Sequence, residues 1–159
     1  MVKDKQEYSG AIVLGLNDAL VELSGALVGL SFALAESKLI ATVGIITGFA
    51  AALSMTASEY LSAKEDRKRK PLTSAIYTGI TYLIAVVLLV APYFILKNVY
   101  VSTIIMILVM VSIITIYTKY DAKIRNESFK KKFTEMLFIS LGVATISFVF
   151  GLIVRNILA

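Results

Sequence analysis

The chain contains no cysteine, no histidine and no tryptophan. Without cysteine there is no disulfide, no iron–sulfur cluster and no thiolate zinc site. Without histidine there is no Ser-His or Cys-His nucleophile, no usual haem ligand and not the commonest zinc ligand. A Ser-Lys pair is the one nucleophile system left, but every lysine lies outside the apolar runs. No metal-hydrolase motif is present either, so the chain does not read as an enzyme. Proline is scarce: Pro71 stands where a helix should start, and Pro92 falls near the far end of an apolar run, where it can kink the helix.

Fifty-eight per cent of the 159 residues are hydrophobic and the mean hydropathy is +0.82, too apolar for a soluble domain of this size. Five runs are long enough to cross a hydrocarbon core as helices: residues 11–35, 39–62, 72–96, 99–118 and 133–154. They predict an all-α membrane protein with five transmembrane helices in a single domain spanning 1–159, with no separate soluble unit.

Charge is concentrated in the connections. Lys3 and Lys5 precede the first run; Lys64, Arg67, Lys68, Arg69 and Lys70 follow the second; Lys119, Lys123, Arg125, Lys130, Lys131 and Lys132 follow the fourth. These thirteen share one side, and only Lys38, Lys97 and Arg155 fall on the other. The positive-inside rule places the N-terminus in the cytosol and the C-terminus outside. The net charge of +5 thus reads as topology rather than as nucleic-acid binding. Contact of the basic loops with anionic headgroups is a secondary reading.

No Lys or Arg lies inside an apolar run, yet Asp18 and Glu22 lie inside the first. An ionisable group at that depth costs roughly 2.5–3.5 kcal/mol on insertion scales and marks a functional site by default. Helical spacing groups Asp18, Glu22, Gly25 and Gly29 on one stripe of the first run, and Gly44, Gly48, Ala51, Met55 and Glu59 on one stripe of the second. At a rise of about 1.5 Å per residue, Asp18 and Met55 both lie about 10 Å from the cytosolic boundary, Glu22 about 16 Å and Glu59 about 4–5 Å. Gly25 is level with Gly48 and Gly29 with Gly44, where small residues let helices approach closely. A carboxyl in low dielectric tends to hold its proton, and a divalent cation reaching two such groups displaces it. Carboxylate oxygens with one thioether favour first-row transition ions over Mg²⁺ and Ca²⁺. Asp18, Glu22, Met55 and Glu59 are therefore the candidate metal ligands, and a two-fold axis would double the set. Tyr77, Tyr82, Tyr117 and Tyr120 read as packing or interface-belt residues, with a ligand or gate role open. Glu135 reads as an acid favoured by a helix N-terminus.

Two segments resemble the vacuolar iron transporter family: Gly15-Leu16-Asn17-Asp18-Ala19-Leu20-Val21, and Ala52-Leu53-Ser54-Met55-Thr56-Ala57-Ser58-Glu59-Tyr60-Leu61-Ser62. The family pattern is Asn-Asp-Gly-(Leu or Ile)-Val followed by Ser-Met-x-x-x-Glu-Tyr. A looser likeness continues through Ala91-Pro92-Tyr93 and residues 147–151. The resemblance implies a five-span homodimer moving Fe²⁺ or Mn²⁺ out of the cytosol in exchange for protons. The metal path at the dimer centre would be lined by Asp18 and Met55, with Glu59 the motif glutamate. No cofactor is implied; the metal is cargo. Ala19 stands where the family has Gly. Many members carry a Glu-rich metal-binding domain between the second and third spans, where this chain has only a short basic stretch. Other readings are a non-transporting scaffold or assembly partner, and a proton or monovalent-cation pathway. The membrane would be the plasma membrane in a prokaryote, or a vacuolar or other organelle membrane in a eukaryote.

The absence of native cysteine makes topology directly testable. In intact cells with the protein in the plasma membrane, Lys38→Cys is expected to react with an impermeant maleimide. Lys123→Cys is expected to react only after permeabilisation. The reverse pattern would overturn the charge assignment.

Overall fold

The computed structural model describes residues 9–66 and 70–158. Lys3, Lys5, Arg67, Lys68 and Arg69 lie outside the described residues. Among those described, every regular element is helical: α1 (Ser9–Leu34), α2 (Ser37–Glu65), α3 (Pro71–Ile95), α4 (Val99–Arg125) and α5 (Phe129–Leu158). All five are long and apolar enough to cross a membrane.

The helix ends follow from local chemistry. Pro71 occupies the first turn of α3, where its missing N–H removes nothing. The Asn98 side chain accepts from the Tyr100 and Val101 amides at 3.0 and 3.2 Å, capping α4. α4 ends on Asn126, which takes the left-handed conformation (φ 56°) that asparagine tolerates. α4 therefore runs past residue 118, and α5 starts before residue 133. Hydropathy marks the oily part of a helix, and these two continue beyond it as charged turns.

The exposed surface is apolar: Ile46, Phe49 and Leu53 on α2, Ile104 and Leu108 on α4, and Phe138, Ile146 and Phe150 on α5. Hydrocarbon accepts this surface and water does not. The interior is built on Tyr82, Leu89 and Tyr93 of α3 with Met106, Met110 and Ile114 of α4, all fully buried. Ser31, Tyr93 and Thr103 form a triangle of buried hydroxyls with sides of 2.9, 2.9 and 3.1 Å. It ties α1, α3 and α4 together and satisfies polar groups that lipid cannot.

The first span is not one unbroken α-helix. It is α-helical over Ser9–Asp18, makes a π turn over Ala19–Leu23, and is α-helical again over Ser24–Leu34. A π turn carries one extra residue, so everything beyond it is rotated by roughly 100° relative to a straight helix. The stripe joining Asp18 and Glu22 to Gly25 and Gly29 assumed about 3.6 residues per turn throughout; the π turn offsets the part beyond it from Asp18, while Glu22, inside the turn, still shares a groove wall with Gly29.

The two halves of α1 accordingly dock on different helices. In the N-terminal half, Gly15 lies directly against the Thr78 carbonyl of α3, and the Thr78 hydroxyl donates to the Ala11 carbonyl at 3.0 Å. In the C-terminal half, a Cβ on Gly25 would fall 2.8 Å from Val143, and one on Gly29 would fall 2.9 Å from the Ser147 carbonyl, both on α5. Gly151 of α5 lies in turn against the Gly29 carbonyl. The second glycine pair serves mainly α3: a Cβ on Gly48 would sit 2.7 Å from Val86, and one on Gly44 would sit 2.9 Å from Leu27 and 3.2 Å from Val90. Gly44 is thus at the level of Leu27, between Gly25 and Gly29 in sequence. The nearest neighbours of the two stripes are nevertheless α5 and α3 for the most part.

Gly15→Ala is expected to lower stability in detergent by about 1–3 kcal/mol, because its methyl group meets backbone that cannot turn aside. Gly142, with open space around it, is the control, and Gly142→Ala should change stability by no more than about 0.5 kcal/mol. Thermal unfolding of the two variants side by side decides; equal midpoints would contradict the docking.

Candidate functional site

Asp18 closes the first α-helical half of α1 and is half-buried; Glu22 sits within the π turn and is exposed at the surface of the chain. The two carboxyl groups lie close enough to interact electrostatically, and the Tyr82 side chain of α3 lies beside Glu22. Tyr82 is fully buried, so its ring is fixed by the core, and it shares the wall of one groove with Glu22. The sequence weighed Tyr82 mainly as packing; its alignment with Glu22 depends on how α3 lies against the π turn, which spacing along one helix does not reveal.

Glu22 opens onto a groove of about 690 Å³ between α1, α2, α3 and α5. Its walls include Ala26 and Gly29 of α1, Thr47 and Ala51 of α2, Tyr82 of α3 and Ser147 of α5. The α1 wall starts at Glu22 and continues to Ala33, so the one carboxylate lies at an end of an otherwise apolar trough. Such a trough can take an ion from one end and be covered by apolar surface along its length.

The remaining sequence candidates are placed differently. Met55 is half-buried and packs against the hydrophobic core. Glu59 is 4% exposed and accepts a hydrogen bond from the Ser74 hydroxyl of α3. Among the described residues no three Asp or Glu side chains form one metal-holding group. The physical reason is the face of α2: Glu59 continues the small-residue line through Gly44, Gly48 and Ala52 that packs inward. Asp18 and Glu22 come together, and Glu59 does not join them within one chain.

A second polar centre lies at the ends of α4 and α5. Asp121 is 5% exposed; Arg125 donates to it at 2.9 Å and Lys132 forms an ion pair with it. Lys132 also lies 3.1 Å from Glu127, and Arg125 donates to the Ser9 hydroxyl of α1 at 3.0 Å. Beside it is a cavity of about 220 Å³ lined by Asn17, Tyr117, Asp121 and Glu135, among others. Read as a basic loop, this segment concealed a buried acid. The available signal was periodic: Met106, Met110, Ile114 and Thr118 step along one buried face, and Asp121 continues it.

Five helices long and apolar enough to cross a membrane define the class: an integral membrane protein, with Asp18 and Glu22 inside the first of them. A family model described as the VIT family matches residues 9–70 and 64–152. The chain belongs to the VIT family, whose members are transporters rather than enzymes, and this gives it a metal- or ion-transport role. The two matched segments overlap at residues 64–70, in the α2–α3 connection. No curated protein matches the chain.

Asp121→Asn is expected to cost about 1–3 kcal/mol, since it removes the negative charge and turns one of the two oxygens that Arg125 and Lys132 share into an NH2 donor at a buried position. Thermal unfolding in detergent checks this; an unchanged midpoint would show that the network contributes nothing to stability.

Proposed function

We propose that the protein is a proton-coupled exporter of Fe²⁺ or Mn²⁺, with the Asp18–Glu22 pair as its intramembrane ion site. The observation that carries this is the meeting of two carboxyl groups at an irregular turn of a membrane helix, with no basic side chain in the span to neutralise them. A metal entering such a pair releases protons, and protons arriving from the other side release the metal. Coupling in opposite directions follows from competition for the same oxygens.

Completion of the ligand set in a homodimer is part of the reading. Two carboxylates and a tyrosine are few ligands for a transition ion, which takes four to six. The trough from Glu22 along α1 is apolar and open, and a second copy placed against it by a two-fold axis would bring a second acid pair and Met55 toward the first. The cytosolic N-terminus, thirteen basic residues on that side and the short α2–α3 connection support export of cytosolic metal without a dedicated gathering domain. Because one chain assembles only two acids, a proton or monovalent-cation pathway is the second reading.

Purified protein in detergent should be stabilised by Mn²⁺ or by Fe²⁺ under anaerobic conditions, by about 2.7 kcal/mol at 100 times Kd. Asp18→Asn should lose most of that stabilisation with the metal-free midpoint unchanged. It should also abolish protection of an iron- or manganese-sensitive host. Full protection by Asp18→Asn would refute the assignment. Stabilisation by monovalent ions alone would favour the second reading.

A further inference from the structure

The proposed site depends on a π turn, and a π turn in lipid poses a hydrogen-bonding problem. In an unbroken α-helix the Ser24 amide would donate to the Leu20 carbonyl. Here it donates to the Ala19 carbonyl, five residues back, with a second contact to Val21. That leaves the Leu20 carbonyl without its helical donor, at a residue that is fully buried and far from water. The Ser24 hydroxyl fills the vacancy: it donates to the Leu20 carbonyl, and Ser24 is itself fully buried. Serine and threonine hydroxyls elsewhere in the chain, such as Thr81 and Thr115, also bond back by four residues. Those lie in regular helix, where the same carbonyl has an amide donor as well. At Leu20 the Ser24 hydroxyl takes the place of the Ser24 amide, which has moved to Ala19.

The turn is also the point at which α1 changes partners. Gly15 holds the N-terminal half on α3, and Gly25 and Gly29 hold the C-terminal half on α5. These docks require the roughly 100° offset that the extra residue supplies. Asp18 and Glu22 lie at the entry to the turn and within it, so the geometry of the pair is set by the turn's hydrogen bonds.

We propose that Ser24 is a positioning residue for the Asp18–Glu22 ion site: its hydroxyl locks the π turn by taking the Leu20 carbonyl, and so holds the two carboxyl groups in register. It touches no cargo. The inference rests on the reading of that pair as the ion site and adds to it the residue that sets its geometry. Threonine carries the same hydroxyl and preserves the lock; alanine removes it at nearly constant volume.

The test compares wild type, Ser24→Ala and Ser24→Thr in two measurements. The first is amide hydrogen exchange at Leu23, Ser24 and Gly25, or at the substituted residue, by NMR in micelles. Ser24→Ala should exchange at least about tenfold faster there and Ser24→Thr should match wild type. The second is initial-rate Mn²⁺ uptake into proteoliposomes. Ser24→Ala should raise KM by about tenfold, the scale on which ligand-orienting partners act, with the maximal rate within about twofold and Ser24→Thr restoring wild-type KM. Wild-type protein that takes up metal while Ser24→Ala shows unchanged exchange, or unchanged KM, would overturn the positioning role and leave the ion site standing. A fall in maximal rate at constant KM in Ser24→Ala, unrescued by threonine, would mark a merely structural residue and overturn it equally. Wild-type protein that takes up no divalent ion would overturn the transport reading and the positioning role with it.

Discussion

In hydrocarbon every backbone N–H and C=O must find a partner within the protein. That constraint makes any departure from regular helix costly, and α1 departs from it beside its two carboxylates. The rest of the arrangement follows from making this departure tolerable. A serine hydroxyl covers the displaced carbonyl, and glycines at Gly15, Gly25 and Gly29 let the two halves of α1 press onto α3 and α5 at backbone distance. An irregular turn held from both sides places ionisable groups at depth without leaving the backbone exposed to lipid.

The polar groups of the bundle are distributed accordingly. Toward the C-terminal end of α1 they are neutral and mutually satisfied: the Ser31–Tyr93–Thr103 triangle, then Ser37 donating to the Lys97 carbonyl at 3.2 Å. Toward its N-terminal end they are charged: Glu59 with Ser74, and Asp121 with Arg125 and Lys132. Asp18, Glu22 and Tyr82 lie between these two regions. A bundle sealed by hydroxyls at one end and by ion pairs at the other has ends of different chemistry.

Much of the architecture was legible in the sequence because hydropathy and charge are local properties. Five helices, their order and the placement of Pro71 follow from run length and composition. So does the depth of Gly44 relative to the first span, since it meets Leu27. Facing was not legible. The π turn has no composition signature in Ala19–Leu23, and one additional residue rotates every later side chain, so a stripe drawn through Asp18 and Gly29 lost its meaning. Glu59 was assigned by motif and depth to the mouth of the metal path; that it packs on Ser74 of α3 was not legible. Tyr82 and Asp121 were underrated because their partners come from other helices. Such pairings belong to tertiary structure, and periodicity along one segment does not carry them.

The central claim is that cations and protons compete for one carboxylate pair in the membrane interior. It is tested most directly by loading proteoliposomes with a pH dye and a metal indicator and following both signals after Mn²⁺ or Fe²⁺ is added outside. Metal entry accompanied by proton exit in fixed proportion, with both signals lost together in Glu22→Gln, is the expected result. Metal entry with no proton counterflow, or proton movement indifferent to metal, would contradict it.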